Sequence, residues 1–264
     1  MQLRTFAVAI LALAPIHLYA QATPALSLDQ QETFLQKAKV QKKQGVNKGV
    51  TGTSMVILSD GALTHQASVQ TIDEFKLIFQ PQGGKAETNF KDTYKFNIAG
   101  YLLAKQLGLG DMVPPSVARG GGSYTWWIDD VLMEEGERLA KKAVAPNEDA
   151  WSKELAIVRV FDQLIANTDR NAGNLMIDKQ WRVWMIDHTR AFRTRKDLIN
   201  PAALTSIDRA LLAKLKTLEE ASLKKDLGKF LTKQEIQSLL ARRDLIVAAF
   251  EAKGPTAFFD RPAR

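Results

Sequence analysis

Between Trp151 and Phe192 the spacing of apolar residues changes character twice. Trp151, Leu155, Val158, Phe161 and Ile165 recur near a 3.6-residue period, which predicts an amphipathic helix running into Asn167. Asn167, Asp169, Asn171 and Gly173 follow, short polar residues and a glycine that suit a tight irregular loop. Beyond them Leu175–Asp178 and Trp181–Ile186 read as two short strands turning at Lys179 and Gln180. Helix, loop and hairpin in this order deliver Asp169 and Asn174, on the loop, and Asp187, at a strand end, to one place.

The rest of the chain divides around this segment. Residues Asp29 to Gln44 read as a helix that grows basic toward its end, with Lys37, Lys39, Lys42 and Lys43 on a solvated face. Val50–Ser59, Gln66–Ile72 and Phe75–Gln80 read as strands separated by turns such as Asp60-Gly61, which together form a small sheet. Asp92 is placed to cap a helix through Leu107, with Ile98, Tyr101 and Leu102 inward and Gly108 and Gly110 ending it. Val113 to Val117 is extended. Arg119-Gly120-Gly121-Gly122-Ser123 lacks the Gly-Lys-Ser/Thr ending of a phosphate loop and reads as a turn into a buried strand. After the central segment, helices are predicted over Leu204–Leu218, over Ala221–Phe230 and from Thr232, where Glu235 completes a capping box and Gly254-Pro255 is the stop.

Composition narrows the class. With 264 residues, 45% of them hydrophobic, the chain suffices for one two-lobed domain or two small ones. Met1 to Ala22 reads as a signal peptide: Arg4, an apolar run from Phe6 to Ile16, then Ala20-Gln21-Ala22 as the cleavage site. An uncleaved anchor is the alternative. Cleavage predicts an exported protein, periplasmic or secreted, and removing Arg4 takes the net charge from +7 to +6. The absence of cysteine excludes disulfides and thiol chemistry. Zinc-ligand spacings and a G-x-S-x-G elbow are missing, so metallohydrolase and serine-hydrolase readings lack support.

Two acids and an asparagine at these spacings suit phosphoryl transfer. One acid must orient the attacking hydroxyl, and hard oxygen donors must hold Mg²⁺ against phosphates. Asn167, Asp169, Arg170 and Asn174, followed by Ile186, Asp187, Ala191 and Phe192, resemble the N-x-D-R-x-x-x-N and I-D-x-x-x-A-F motifs of atypical kinases of the phosphatidylinositol 3/4-kinase-like branch. That branch also takes in the HipA-type kinases and, more distantly, the secretory-pathway kinases. The resemblance implies a two-lobed, protein-kinase-like α+β fold, with an N-lobe over 23–119 and a mainly helical C-lobe over 120–260. It implies ATP and Mg²⁺ or Mn²⁺ as cofactors, with Asn174 and Asp187 as metal ligands. Asp169 takes the catalytic place, Arg170 braces the loop or touches phosphate, and His188 packs or takes part.

The chain also departs from the pattern it resembles. Where the resemblance puts an N-lobe lysine paired with a helix acid, this chain has Gln70 and Asn97. An amide pair can hydrogen-bond, but it supplies no cation beside the phosphates. Lys76, Lys85 and Lys91 are the candidates to replace it, Lys76 first. Two readings follow: a phosphotransferase acting on a hydroxyl-bearing acceptor, or an exported pseudokinase that binds nucleotide or a partner without catalysis. The pI near 9.5 and the cluster of Arg190, Arg193, Arg195 and Lys196 suggest an anionic envelope partner, with a merely solvated basic face as the alternative. Nucleic acid is an improbable partner for an exported chain without a recognised module.

Overall fold

The computed structural model describes residues 26–45, 53–80, 83 and 86–261; the leader over 1–22 and Lys85 lie outside the described residues. The chain begins with α1 (Leu28–Lys37), started by Ser27, whose side chain accepts from the Gln30 amide while Gln30 reaches back to the Ser27 amide. This helix stops at Ala38, and Lys39–Gly45 forms strand β1 rather than the predicted helical extension. Among the described residues β1 pairs only with β2 (Ser54–Ser59), and its residues are all exposed. A lysine-rich strand suits that edge, where charge discourages further pairing.

β3 (Thr64–Gln70) follows, then a two-stranded hairpin of β4 (Asp73–Phe79) and β5 (Glu87–Thr93), then α2 (Lys95–Gln106). Asp92 therefore lies in β5 and does not cap α2, whose N-cap is Tyr94. The hairpin register, with Asp92 opposite Glu74, extends the strand past the point where a helix was expected. β6 (Ser116–Arg119) and β7 (Gly122–Trp126) complete an antiparallel sheet of order β1-β2-β3-β7-β6. The glycine-rich stretch is the turn between β6 and β7, with Gly120 and Gly121 at φ 57° and 77°, so it is a hairpin turn and not a phosphate loop. The sheet runs on through β7, past position 119 where the sequence puts the division.

Period-two alternation gives this sheet two faces. Val56, Leu58, Ala67 and Val69 pack with Phe34 and Leu35 of α1 in a small core. Ser68 and Gln70 point the other way, into a cleft. Next come β8 (Val131–Glu134), α3 (Glu135–Lys141), α4 (Glu148–Ile165), β9 (Leu175–Asp178) and β10 (Val183–Met185), with the three strands in order β10-β9-β8, and residues of these strands line the cleft from the other side. β10 is shorter than predicted. The Asp178 carboxylate accepts from the Gln180 and Arg182 amides, and Trp181 takes φ 60°, so the turn consumes the residues before Val183.

β11 (Ile207–Asp208), α5 (Arg209–Lys216), α6 (Glu220–Leu227), α7 (Lys233–Lys253) and β12 (Phe258–Phe259) finish the chain. The expected helix over Leu204–Leu218 is cut back to α5. Ile207 and Asp208 pair in parallel with Phe258 and Phe259, and Asp208 caps α5 through the Leu211 amide. The capping box of Thr232 and Glu235 and the stop at Gly254 are both present. The larger core spans α2, α4 and the C-terminal helices. The molecule is thus α+β and two-lobed, and among the described residues no helix is long and apolar enough to cross a membrane.

Among the buried charges, one ties the larger lobe together. Arg242 of α7 is wholly buried and donates to the carbonyls of Leu164, Arg193 and Arg195, tying the end of α4 to the segment after Phe192. Burial lowers its pKa from the usual arginine range to about 10. Arg242→Ala should cost about 2–4 kcal/mol of unfolding free energy, because three carbonyls lose their donor at once. Chemical denaturation measures this; a loss below about 1 kcal/mol would show the tie to be dispensable.

Candidate active site

The polar loop starts where α4 ends. Ala166 takes φ 47°, a left-handed conformation that costs an alanine about 1 kcal/mol and turns the chain out of the helix. Asn167, buried, then uses both ends of its amide: Nδ2 donates to Asp162 and Oδ1 accepts from the Asp169 amide. Asn171 caps the following turn by accepting from the Gly173 amide at 2.9 Å. Asn174 donates Nδ2 to the Asp169 carbonyl at 3.0 Å, which leaves Oδ1 as the free end of its side chain.

Arg170 holds this loop to its neighbours. Its guanidinium meets the Asp162 carboxylate at 3.0 Å and donates to the carbonyls of Asn174 and Ile186 at 2.8 and 2.7 Å. Of the two roles the sequence leaves to Arg170, these bonds suit the brace: Nε, Nη1 and Nη2 all donate to α4, the loop or the strand end. The Ile186 amide also donates to the Asn174 carbonyl at 3.1 Å. Asn174 and Asp187 are therefore held side by side from two chain segments.

Asp187 has φ 52°, an unusual backbone for a residue with a Cβ. Its Oδ1 accepts the Thr189 hydroxyl at 3.0 Å, and the next amide, His188, donates to Asn97 Oδ1 at 2.7 Å. Asn97 in turn donates Nδ2 to Gln70 Oε1. Gln70 and Asn97 are both buried, so this chain of amides links the upper sheet, through α2, to the backbone beside Asp187. The His188 ring is buried against Gly100 and Phe161, and burial together with the nearby Arg170 holds its pKa well below the usual range. A neutral packing residue is what that setting makes of it.

Asp169, Asn174, Asp187, Gln70, Asn97 and Lys76 all line one cleft of about 1080 Å³ between the lobes. Its lining also includes the apolar residues Val113, Pro114, Trp127, Ile128, Met176 and Met185. Of the replacement cations, Lys91 points away, paired with Glu235 of α7 at 2.5 Å. Lys76 lines the cleft, paired with Glu74 at 2.9 Å and seated over Phe79. The basic cluster is largely engaged: Arg190 and Arg193 both bind Glu87, at 2.6 and 3.0 Å, and Arg195 donates to the carbonyls of Asp197 and Leu198.

Sequence reasoning missed Asp92 as a residue of this cleft. It is 6% exposed, hydrogen-bonded by Thr189, and its Oδ1 is buried without a partner. Burial raises its pKa, and the like charges of Asp187 and Asp169 raise it further against the opposing effects of Thr189 and Arg190. Only the strand register that turns its side chain inward could have revealed it. Among the described residues no three His, Cys, Asp or Glu side chains converge as a self-sufficient metal cage. A hard cation fits nonetheless. Asn174 and Asp187 present oxygen donors from adjacent segments, and Mg²⁺ typically takes one or two carboxylates and completes its shell with phosphates and water.

No family model matches this sequence, and no curated protein does. Solved structures do match in shape. The structure of hydra Fam20 with sugar superposes with a TM-score of 0.67 at 14% identity, over 89% of this chain and 93% of that one. The Golgi casein kinase with Mn/ADP bound gives 0.61 at 12%, over 89% and 78%. A further structure of the Golgi casein kinase gives 0.59 at 13%, over 89% and 79%. At these identities the likeness establishes the fold: the chain has an atypical kinase-like fold.

If Arg170 is the brace described, Arg170→Lys should fail to replace it, since an ammonium cannot reach Asp162 and two carbonyls with the planar fork of arginine. We expect a loss of about 1–3 kcal/mol in unfolding free energy. Denaturation of the variant at unchanged stability would deny the role.

Proposed function

We propose that the protein is an atypical kinase-like phosphotransferase that passes the γ-phosphoryl group of ATP to a hydroxyl acceptor. The convergence of Asp169, Asn174 and Asp187 in one braced cleft carries this reading. In it, Asn174 and Asp187 would hold Mg²⁺ or Mn²⁺, which when bound offsets phosphate charge. Asp169, whose side chain is 40% exposed to the cleft, orients or deprotonates the acceptor hydroxyl. Arg170 keeps the loop in register. The Mn/ADP bound to the Golgi casein kinase supports the cofactors, and the sugar with hydra Fam20 makes a sugar hydroxyl the first acceptor to test, beside protein hydroxyls.

Charge supports metal dependence. Among the described residues lining the cleft are five carboxylates, those of Glu74, Asp92, Glu134, Asp169 and Asp187, against the cations Lys76 and Arg190. Such a lining repels a free polyphosphate, so nucleotide should enter with its cation. Within this reading we take the N-x-D-R-x-x-x-N loop as kin to those of the phosphatidylinositol 3/4-kinase-like and HipA-type kinases. We take the leader over 1–22 as grounds for an exported, periplasmic or secreted protein.

Calorimetry with ATP in the presence and absence of Mg²⁺ tests the proposal: binding should need the metal, and equal affinity in both conditions, or none in either, would count against it. Asp169→Ala should abolish transfer and leave nucleotide affinity within about threefold, because the residue serves the acceptor and not the donor.

The uncharged Gln70–Asn97 pair favours a second reading, a nucleotide- or partner-binding module without catalysis. It predicts weak ATP affinity in either case. Gln70→Lys with Asn97→Glu should tighten nucleotide binding by more than Gln70→Lys alone, whose lysine lacks an orienting acid. A folded double variant that binds no better than wild type would mean phosphate contacts come from elsewhere, Lys76 first. Phosphoryl transfer gained only by the double variant would favour the binding module for the natural chain.

A further inference from the structure

We propose that Asp92 is a third protein ligand for the divalent cation, reaching the metal site from the upper lobe opposite Asn174 and Asp187. The assignment rests on the phosphotransferase reading, and it concerns a residue outside the loop and strand motifs that led to that reading.

Three observations carry it. Asp92 lines the same cleft as Asp187 and is 6% exposed, yet its Oδ1 has no hydrogen-bond partner. Such an orphaned buried acceptor is unfavourable unless something binds it. Next, the Thr189 side chain hydrogen-bonds Asp92 and also donates to Asp187 Oδ1, so one hydroxyl spans the two acids. A hydroxyl has a single proton to give, and it cannot satisfy both carboxylates at full strength. A cation between them would take that load. Finally, position 92 is held in place: the Thr93 amide donates to the Thr189 carbonyl at 3.0 Å, pinning β5 to the chain just past Asp187. A carboxylate fixed across the cleft in this way closes a shell whose other members come from the lower lobe.

A rival explanation is that Asp92 simply carries a proton and hydrogen-bonds within the protein. Asparagine imitates that neutral acid, so Asp92→Asn separates the two. We would titrate Mn²⁺ into the full chain, alone and with ADP, following free Mn²⁺ by electron paramagnetic resonance, and record melting curves with and without Mn²⁺ and ADP. Asp92→Ser would be carried in parallel as a smaller replacement. If Asp92 is a ligand, both variants weaken Mn²⁺ binding in the presence of ADP by about tenfold or more. In the same variants the metal-free protein should melt at or above the wild-type temperature, because a buried carboxylate with one unpartnered oxygen beside the like charge of Asp187 has gone. A residue with only a structural role would lower both measurements. Wild type that takes up Mn²⁺ and ADP together, with variants equal or tighter, overturns the assignment and leaves the phosphotransferase reading standing. Wild type that binds no Mn²⁺ with ADP overturns both.

Discussion

The amide of Asn97 is the joint on which the cleft depends. It donates to Gln70 in the upper sheet and accepts from the backbone amide of His188 in the lower lobe. Only a group with one donating and one accepting end can do both. A carboxylate there could accept from His188, but it would meet Gln70 only with that amide turned to present its nitrogen, which now donates to Thr53. The present geometry therefore sets the orientation of the Gln70 amide as well as that of Asn97. Being uncharged, the pair avoids the large desolvation cost of a buried ion pair. It holds the lobes at their spacing without any ligand, and the cost is a missing cation.

That joint has consequences one residue away. Asp187 has a left-handed backbone, which persists where surrounding bonds over-determine it. The bond from His188 to Asn97 acts on one side of it, and the Ile186 contacts with Asn174 and Arg170 act on the other. Gly100 contributes by having no side chain, since a Cβ there would come within 3.2 Å of the His188 ring. The strained aspartate is clamped between an amide joint above and a guanidinium brace below.

How much of this could be read from the chain follows from how local each interaction is. Asp169, Asn174 and Asp187 sit within a helix, a loop and a hairpin that short-range patterns specify, so their convergence was legible. The same is true of the capping box at Thr232 and Glu235. The Gln70–Asn97 contact joins residues 27 apart and is set by no spacing rule; it was reached only through resemblance. Asp92 was misread because an aspartate three residues before a helix satisfies a capping rule. In the folded protein, strand pairing to β4 carries the chain past it and turns its carboxylate inward. β1 was misread for a related reason: a run of lysines fits a solvated helix and an edge strand equally, and pairing with β2 decides. Arg242 was invisible because a charge inside a helical period is ordinarily counted as surface.

The two devices around Asp187 differ in what they demand of the electrostatics. Arg170 is a charge neutralised by Asp162 and spent on carbonyls, so it contributes little field to the cleft. The amide joint contributes none. Arg190, the one guanidinium of the described lining, is turned toward Glu87 and lies 4.0 Å from Asp169. The lining thus stays acidic although the protein as a whole is basic. The described lining itself supplies only Lys76 and Arg190 as cations, and in the proposed reading Asn174, Asp187 and Asp92 are the oxygen donors that would receive a metal ion. A lysine at position 70 would supply some of that charge permanently. With glutamine there, the proposed phosphotransferase would take a phosphate-bearing ligand together with a cation, and its occupancy would depend on metal as much as on nucleotide.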